Sequence, residues 1–284
     1  MGRNLLKRFQ PDPARLGGRY QVISQLGEGG FGQTFLARDL HLPGQPQCVV
    51  KQLKPQSTTS QALQTARRLF DTEAQVLYEL GNHPQIPSLL AHFEERQEFY
   101  LAQELIVGHS LEDELAESSW SSDQVLDFLH DLLDTLAFVH DHQVIHRDLK
   151  PSNLMRRDGD RRIVLIDFGA VKQVSTQSTP SRISHTISIG TAGYMPNEQV
   201  AGRPQFSSDI YAVGAIAIQA LTGQRPDQIP LHPQTGELDW QPAPNCDPNM
   251  ATFLIFLVRY VFRSRYATAG EALAALQAFT SAPR

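Results

Sequence analysis

What most constrains the fold of this chain is a change of rhythm about a third of the way along it. Between Tyr20 and about Tyr100 it reads in short β-type runs, YQVISQL, QTFLAR, QCVVKQL and FYLAQEL, around one helical stretch. From about Leu111 onward helical periods take over. SWSSDQVLDFLHDLLDTLAFVH carries a capping box, Ser121 with Gln124, and sets Val125, Phe128, Leu132, Leu136 and Val139 on one helix face. The pattern predicts a small sheet-rich lobe followed by a larger, mostly helical one, and 284 residues suffice for both. No internal repeat interrupts this order. The Pro-rich stretch 225–248 reads as a long surface excursion.

Composition narrows the function classes. A formal net charge of −5 argues against nucleic acid as a partner, because nucleic-acid binders show a basic stripe or a high pI. Cys48 and Cys246 are too few for a disulfide framework and lie in no metal-ligand spacing, so they read as free thiols in a reducing compartment. The most apolar helix candidate, IYAVGAIAIQAL at 210–221, falls short of the roughly 20 residues that span a bilayer, and predicts a buried core helix. MGRNLL lacks the hydroxyl residue a myristoylation signal needs, and no signal-peptide apolar run follows it. The expected location is the cytoplasm, with no membrane span. Residues 1–19 carry Arg3, Lys7, Arg8, Arg15 and Arg19 among prolines and glycines, and read as a flexible, solvated lead-in.

Three features carry chemistry. In LGEGGFGQTFLAR, Gly27, Gly29 and Gly32 allow a tight turn whose amide N–H groups can approach phosphate oxygens. A dinucleotide fold would continue from such a motif into a helix, whereas QTFLAR continues as a β-type run. The glycines are therefore expected to cap a hairpin, and alone they do not separate a phosphate loop from a plain glycine turn. Next, Lys51 ends the apolar run CVV, where an ammonium needs a counter-ion. The following helix has a stripe of Ala66, Phe70, position 73, Leu77 and Leu80, and position 73 is Glu. A carboxylate within a core-facing stripe predicts an ion pair between Lys51 and Glu73. Finally, HRDLKPSN (146–153) packs an acid, two cations and an amide around Pro151, too polar for a buried strand and unfit for a helix interior. It reads as a loop positioned for chemistry.

With GEGGFG (27–32), CVVK (48–51), Glu73, DFG (167–169), GTAGYMPNE (190–198), SDIYAVG (208–214) and Arg265 in this order, the chain resembles a eukaryotic-type protein kinase over about residues 20–279, in particular the bacterial serine/threonine branch. The resemblance implies an α+β, bilobal protein kinase-like fold with an N-lobe of about 20–104, a C-lobe of about 107–279 and a tail at 280–284. It implies a serine/threonine protein kinase that transfers the ATP γ-phosphate to protein hydroxyls, itself included. Asp148 would accept the hydroxyl proton and Lys150 would reach the γ-phosphate. Asn153 and Asp167 would hold Mg²⁺, for which Mn²⁺ is a substitute. ATP would be met by Leu26, Gly27, Glu28, Gly29, Gly30, Phe31, Gly32, Gln33, Thr34, Val49, Lys51, Glu73, Gln103, Glu104, Ile106 and Met155. Leu77, Phe168 and His146, with Leu89, match the family's stacked apolar spine, Glu198 and Arg265 its buried ion pair, and Asp209 its anchor for the catalytic loop.

The chain departs from the family pattern at Thr34 and Val49, which replace the usual Val and Ala over adenine, and at Asn197, which replaces the Pro before Glu198. A pseudokinase that binds nucleotide or partners without catalysis is the alternative, although its usual mark, a missing lysine, base or metal ligand, is absent. A small-molecule kinase is a third class, against which the GTAGY stretch for docking a peptide argues. Arg147 and Lys172 correspond to the positions that grip a phosphorylated side chain, for which Thr186 and Ser188 are the candidates. The motifs leave the oligomeric state unknown.

Overall fold

In the computed structural model, which describes residues 15–29, 32–53, 59–168, 172–173, 191, 193–242 and 246–280, the early β-type runs pair into one antiparallel sheet. Its strands are β1 (Arg15–Leu16), β2 (Tyr20–Gly29), β3 (Gly32–Asp39), β4 (Gln47–Leu53), β5 (Leu89–Glu95) and β6 (Glu98–Glu104), in the order β1-β2-β3-β4-β6-β5. Side-chain alternation decides which face is core: Cys48 and Val50 of β4 point inward with Tyr20, Ala37, Tyr100 and Ala102. The Tyr20, Phe93 and Tyr100 rings stack in series at 5.8 and 5.1 Å. Lys51, between two inward residues, is left on the opposite face.

Two expectations change here. The sheet begins at Arg15, inside the stretch expected to be a solvated lead-in. Arg15 and Leu16 pair with Gln21 and Tyr20, the Gly17 N–H donates to Glu95 Oε2 at 3.0 Å, and Arg19 clasps the buried Asp39 with two hydrogen bonds of 2.8 and 2.6 Å. Residues 1–14 of that stretch lie outside the described residues. The strand LLAHFEE, β5, was not anticipated, although its burial alternates strictly along its length.

The chain divides into two compact units: the described residues up to Ala74 with Leu89–Leu105, and Gln75–Ser88 with the described residues from Ile106 onward. The helix α1 is Ser60–Leu80. In the second unit, α2 (Leu111–Glu117), α3 (Ser122–Asp141), α4 (Asn197–Val200), α5 (Phe206–Thr222), α6 (Pro248–Leu257) and α7 (Ala269–Thr280) supply the mass. α3 starts at the expected capping box, with Ser121 and Gln124 bonded reciprocally, and buries Val125, Phe128, Leu132, Leu136 and Val139. α5 is buried on nearly all sides, as its apolar run requires. Gly214 sits where a Cβ would fall 2.6 Å from Leu257 and 2.7 Å from Val258, so only glycine permits the approach of α5 to the end of α6.

Short strands complete this unit. β7 (Gly108–Ser110), β9 (Leu154–Arg157) and β10 (Ile163–Leu165) form a sheet of order β10-β9-β7, and β8 (Val144–Ile145) pairs with β11 (Lys172–Gln173). The excursion at 225–248 is not purely a surface loop. Pro226, Ile229 and Trp240 are buried, and Leu231 pairs with Leu238 across a turn. Residues 243–245 lie outside the described residues.

Candidate active site

In the first unit the glycine motif lies on the β2–β3 hairpin, whose register runs Gly27 with Thr34, Glu28 with Gln33 and Gly29 with Gly32. Gly30 and Phe31 lie outside the described residues. At Gly32, φ is +156° and an added Cβ would stand 1.8 Å from the Gln52 carbonyl oxygen, so the backbone of β4 alone demands glycine there. Gly27 faces open space, and packing makes no such demand of it.

Lys51 lies on β4 between Thr34 and Leu101 in register. Its Nζ stands 4.0 Å from Oε1 of Glu73 on α1, whose side chain is only 5% exposed. At that distance the two form a charge contact, longer than the 2.7–3.2 Å of a direct hydrogen bond. Glu73 lies in the buried stripe with Phe70, Leu77 and Leu80, which is why its charge needs a partner. Val49 opposes Leu36 and Gln103. Gln103 is buried, and its Oε1 has no hydrogen-bond donor among the described residues. Gln33, Thr34 and Val49 are half-buried, while Leu26, Glu28 and Glu104 are exposed.

The second unit assembles the polar loop. Lys150 Nζ lies 2.9 Å from Asp148 Oδ2. Asn153 Nδ2 donates to the Asp148 carbonyl at 2.8 Å and to Oδ2 at 3.0 Å. Leu154 to Arg156 and Ile163 to Leu165 then pair as a hairpin, and the Ile166 N–H donates to the Asn153 carbonyl at 3.1 Å. The hairpin thus returns the chain to Asn153 one residue before Asp167. Both nitrogen-bound hydrogen bonds of Asn153 go to Asp148, which turns its amide oxygen away as an acceptor suited to a hard cation. Asn153 and Asp167 are oxygen donors of the type Mg²⁺ takes, so the donor set fits that ion. Met155 is half-buried on β9 opposite Ser110 and Val164, and Ile106 is buried.

The loop's backbone is held from α5. Asp209 Oδ2 accepts from the His146 N–H at 2.8 Å and Oδ1 from the Arg147 N–H at 2.9 Å. Arg147 has φ of +74°, a left-handed conformation that costs a non-glycine residue about 1–2 kcal/mol. Burial pushes its guanidinium below the usual arginine range, and Asp209 opposes that shift. The His146 and Phe168 rings meet edge-on at 5.0 Å, both fully buried. Lys172 pairs through its backbone with Ile145, two residues before Arg147. The side chain of Lys172 and all of Gly169, Thr186 and Ser188 lie outside the described residues.

Glu198 and Arg265 form a fully buried pair, with Nη1 to Oε1 at 2.6 Å and Nη2 to Oε2 at 3.2 Å. Carbonyls of Ser207, Arg259 and Tyr260 take the remaining guanidinium hydrogens, and the Ser208 hydroxyl donates to Glu198. Two participants escaped the sequence reading. His140 Nδ1 accepts the Ala269 N–H at 3.1 Å, so Nε2 carries the hydrogen and donates to Asp209 at 3.1 Å. Its position four residues after Leu136 on the buried stripe of α3 is the same signal that singled out Glu73. Gln199 donates from Nε2 to the Arg147 carbonyl, and no periodicity marks it.

Residues 20–274 match the protein kinase domain family. The chain is 44% identical over 269 residues to serine/threonine-protein kinase B of Synechocystis sp., covering 93% of this chain and 47% of that protein. It is 43% identical over 270 residues to serine/threonine-protein kinase PknA of Nostoc sp., covering 92% of this chain and 47% of the relative. A more distant likeness, 31% over 212 residues, is to a calcium/calmodulin-dependent protein kinase type 1 of Caenorhabditis elegans, covering 73% of this chain and 57% of that protein. The chain spans about half the length of the cyanobacterial relatives it matches. The family as a whole uses ATP with a divalent metal and acts on proteins. With its ordered motifs, its paired sheet-rich and helical units and its cyanobacterial relatives, the chain belongs to the protein kinase family, in the bacterial branch of the eukaryotic-type serine/threonine kinases.

Proposed function

We propose that the protein is an active serine/threonine protein kinase whose kinase domain occupies about residues 20–279, transferring the ATP γ-phosphate to Ser and Thr hydroxyls of proteins. The observation that carries this reading is the pair of hydrogen bonds by which Asn153 holds Asp148, with Lys150 at 2.9 Å from the same carboxylate. In-line transfer requires an oriented acceptor hydroxyl and neutralised phosphate charge within a few ångströms. Asp148 orients the hydroxyl and takes its proton, with Oδ1 left for that contact because Asn153 and Lys150 engage Oδ2. Lys150 compensates charge on the transferring group. Lys51, held by Glu73, binds the α- and β-phosphates beside the glycine hairpin. Asn153 and Asp167 would hold Mg²⁺, which when bound would draw charge from the phosphate oxygens. Gln103, with Glu104, Ile106, Val49 and Met155, meets the adenine.

Lys150 in HRDLKPSN and Thr191 in GTAGY match the pattern of the family's serine/threonine members, and this resemblance favours a short aliphatic hydroxyl acceptor over tyrosine. Buried, unpaired Cys48 and free Cys246 suit a reducing, cytoplasmic setting, and no helix among the described residues is long and apolar enough to cross a membrane. The test is incubation of the purified protein with labelled ATP, Mg²⁺ and generic protein substrates, followed by phosphoamino acid analysis. Phosphoserine and phosphothreonine are expected from the wild type and not from Asp148→Asn. Absent incorporation, or incorporation mainly on tyrosine, overturns the reading.

A further inference from the structure

Three consecutive peptide units lead into Asp148, and each is gripped by a side chain from elsewhere in the second unit. Asp209 takes the N–H groups of the first two, at His146 and Arg147. The third joins Arg147 to Asp148, and its carbonyl accepts from Gln199 Nε2. Gln199 is buried in α4 directly after Glu198, whose carboxylate is locked by Arg265 and Ser208. The donor is therefore mounted on a rigid support.

We propose that Gln199 is a positioning residue for phosphoryl transfer, its amide setting the plane of the Arg147–Asp148 peptide and with it the direction of the Asp148 carboxylate. This rests on the kinase reading above. The left-handed Arg147 persists only where its surroundings over-determine it. Asp209 constrains the N–H side of Arg147, and the following peptide is held on its own N–H side only by a long contact, Asp148 N–H to His146 Nδ1 at 3.4 Å, which by itself restrains its rotation weakly. That rotation would swing the carbonyl away and carry the Asp148 side chain with it. A fixed donor on the carbonyl opposes it. Small misplacement of a reacting group has a large effect on rate, so one amide remote from the substrate can matter. The chemistry selects an amide: an apolar side chain of equal length would leave a carbonyl without its donor, and an ionised carboxylate would repel it.

The test compares wild type with Gln199→Met, equal in length but without a donor, and Gln199→Asn, which keeps the donor but withdraws it. Steady-state kinetics are combined with thermal unfolding and with amide hydrogen exchange of the peptide covering residues 144–150. Each variant is expected to lose about tenfold in kcat, the loss associated with one hydrogen bond, with KM for ATP and protein substrate within about twofold of wild type. Exchange should rise in 144–150 while Tm stays close to wild type. Unchanged kcat, or unchanged exchange in a folded variant, overturns the proposal. So does a fall in kcat matched by a collapse of Tm, which would mark a purely architectural role. If one variant does not fold, the other decides. Should the wild type itself fail to phosphorylate, the kinase reading fails, and the exchange comparison still decides whether Gln199 holds the loop.

Discussion

Asn153 holds Asp148 at two points, donating from Nδ2 to the backbone carbonyl at 2.8 Å and to Oδ2 at 3.0 Å. The carboxylate is thereby oriented by the chain itself, and both contacts use the Asn153 nitrogen and leave its amide oxygen out. On the proposed mechanism, Asp148→Asn removes the group assigned to accept the hydroxyl proton and leaves the residues assigned to the nucleotide unchanged. Turnover should fall by about 10²–10⁴-fold, the usual contribution of a general base, while ATP affinity measured by calorimetry stays within about threefold. Near-wild-type turnover would sink the assignment.

Lys51→Met removes the cation facing a nearly buried carboxylate. Loss of activity through misplaced phosphates is expected, with destabilisation of about 1–3 kcal/mol in urea unfolding from the altered environment of Glu73. Glu73→Gln should restore much of that stability in the double variant without restoring activity. Normal kcat and KM for ATP in Lys51→Met would show that the lysine has another role.

Arg265→Ala leaves the buried Glu198 carboxylate without its guanidinium and frees three carbonyls. A loss of about 3–5 kcal/mol is expected from chemical denaturation. Arg265→Lys should recover little of it, because an ammonium cannot reproduce the planar fork that serves all these acceptors. A variant as stable as wild type would contradict the pairing.

The Arg19 guanidinium, through its hydrogen bonds, holds the Asp39 carboxyl below the usual carboxylate range; burial opposes this and the His41 N–H assists it. A depressed carboxylate contributes stability above its unfolded-state pKa, and the contribution disappears as pH falls through the folded value. Asp39→Asn should thus be less stable than wild type at pH 7, by about 1–3 kcal/mol, and the gap should narrow as the pH drops below about 4. Parallel stability curves from pH 7 to pH 3 would exclude this linkage.

The Nε of Arg147 is buried without a hydrogen-bond acceptor among the described residues. The sequence between Ser175 and Ser188 offers eight hydroxyl side chains, Ser175, Thr176, Ser178, Thr179, Ser181, Ser184, Thr186 and Ser188, and no carboxylate. A phosphate on Thr186 or Ser188 would bring about −1.5 to −2 charges to Arg147 and Lys172. Phosphatase treatment should lower the initial rate, and the double variant Thr186→Ala with Ser188→Ala should match the treated protein. Equal rates in all three forms would show that no phosphate switch operates there.

Much of the architecture is legible along the chain because it is local. The capping box at Ser121 and the stripe from Val125 to Val139 depend only on helical geometry, and both form. Glu73 stands out because a charge interrupts an apolar period, and the nearby Lys51 names its counter-ion. β5 leaves a weaker trace than β4 and β6 of equal length, because LLAHFEE opens on two adjacent leucines and closes on two adjacent glutamates, and its alternation emerges only in its burial. The anchored excursion around Trp240 was missed for a related reason: Pro and Gly mark turns but do not say which apolar residues fold back between them.

Chain spacing alone dictates which groups crowd the loop at 146–153, since Asp148, Lys150 and Asn153 are separated by too little chain to disperse. The 14-residue step from Asn153 to Asp167 leaves room for a two-stranded hairpin, and the pairing of Leu154–Arg156 with Ile163–Leu165 is that hairpin. What holds that loop in place comes instead from packing between elements far apart in the chain. His140 meets Asp209 across 69 residues and Gln199 meets Arg147 across 52. The Arg19 and Asp39 pair likewise bridges two ends of a hairpin that sequence spacing did not bring together. Hydrogen bonds between distant residues follow from how whole elements pack, and a single polar side chain carries no periodic trace of the partner that packing will bring to it.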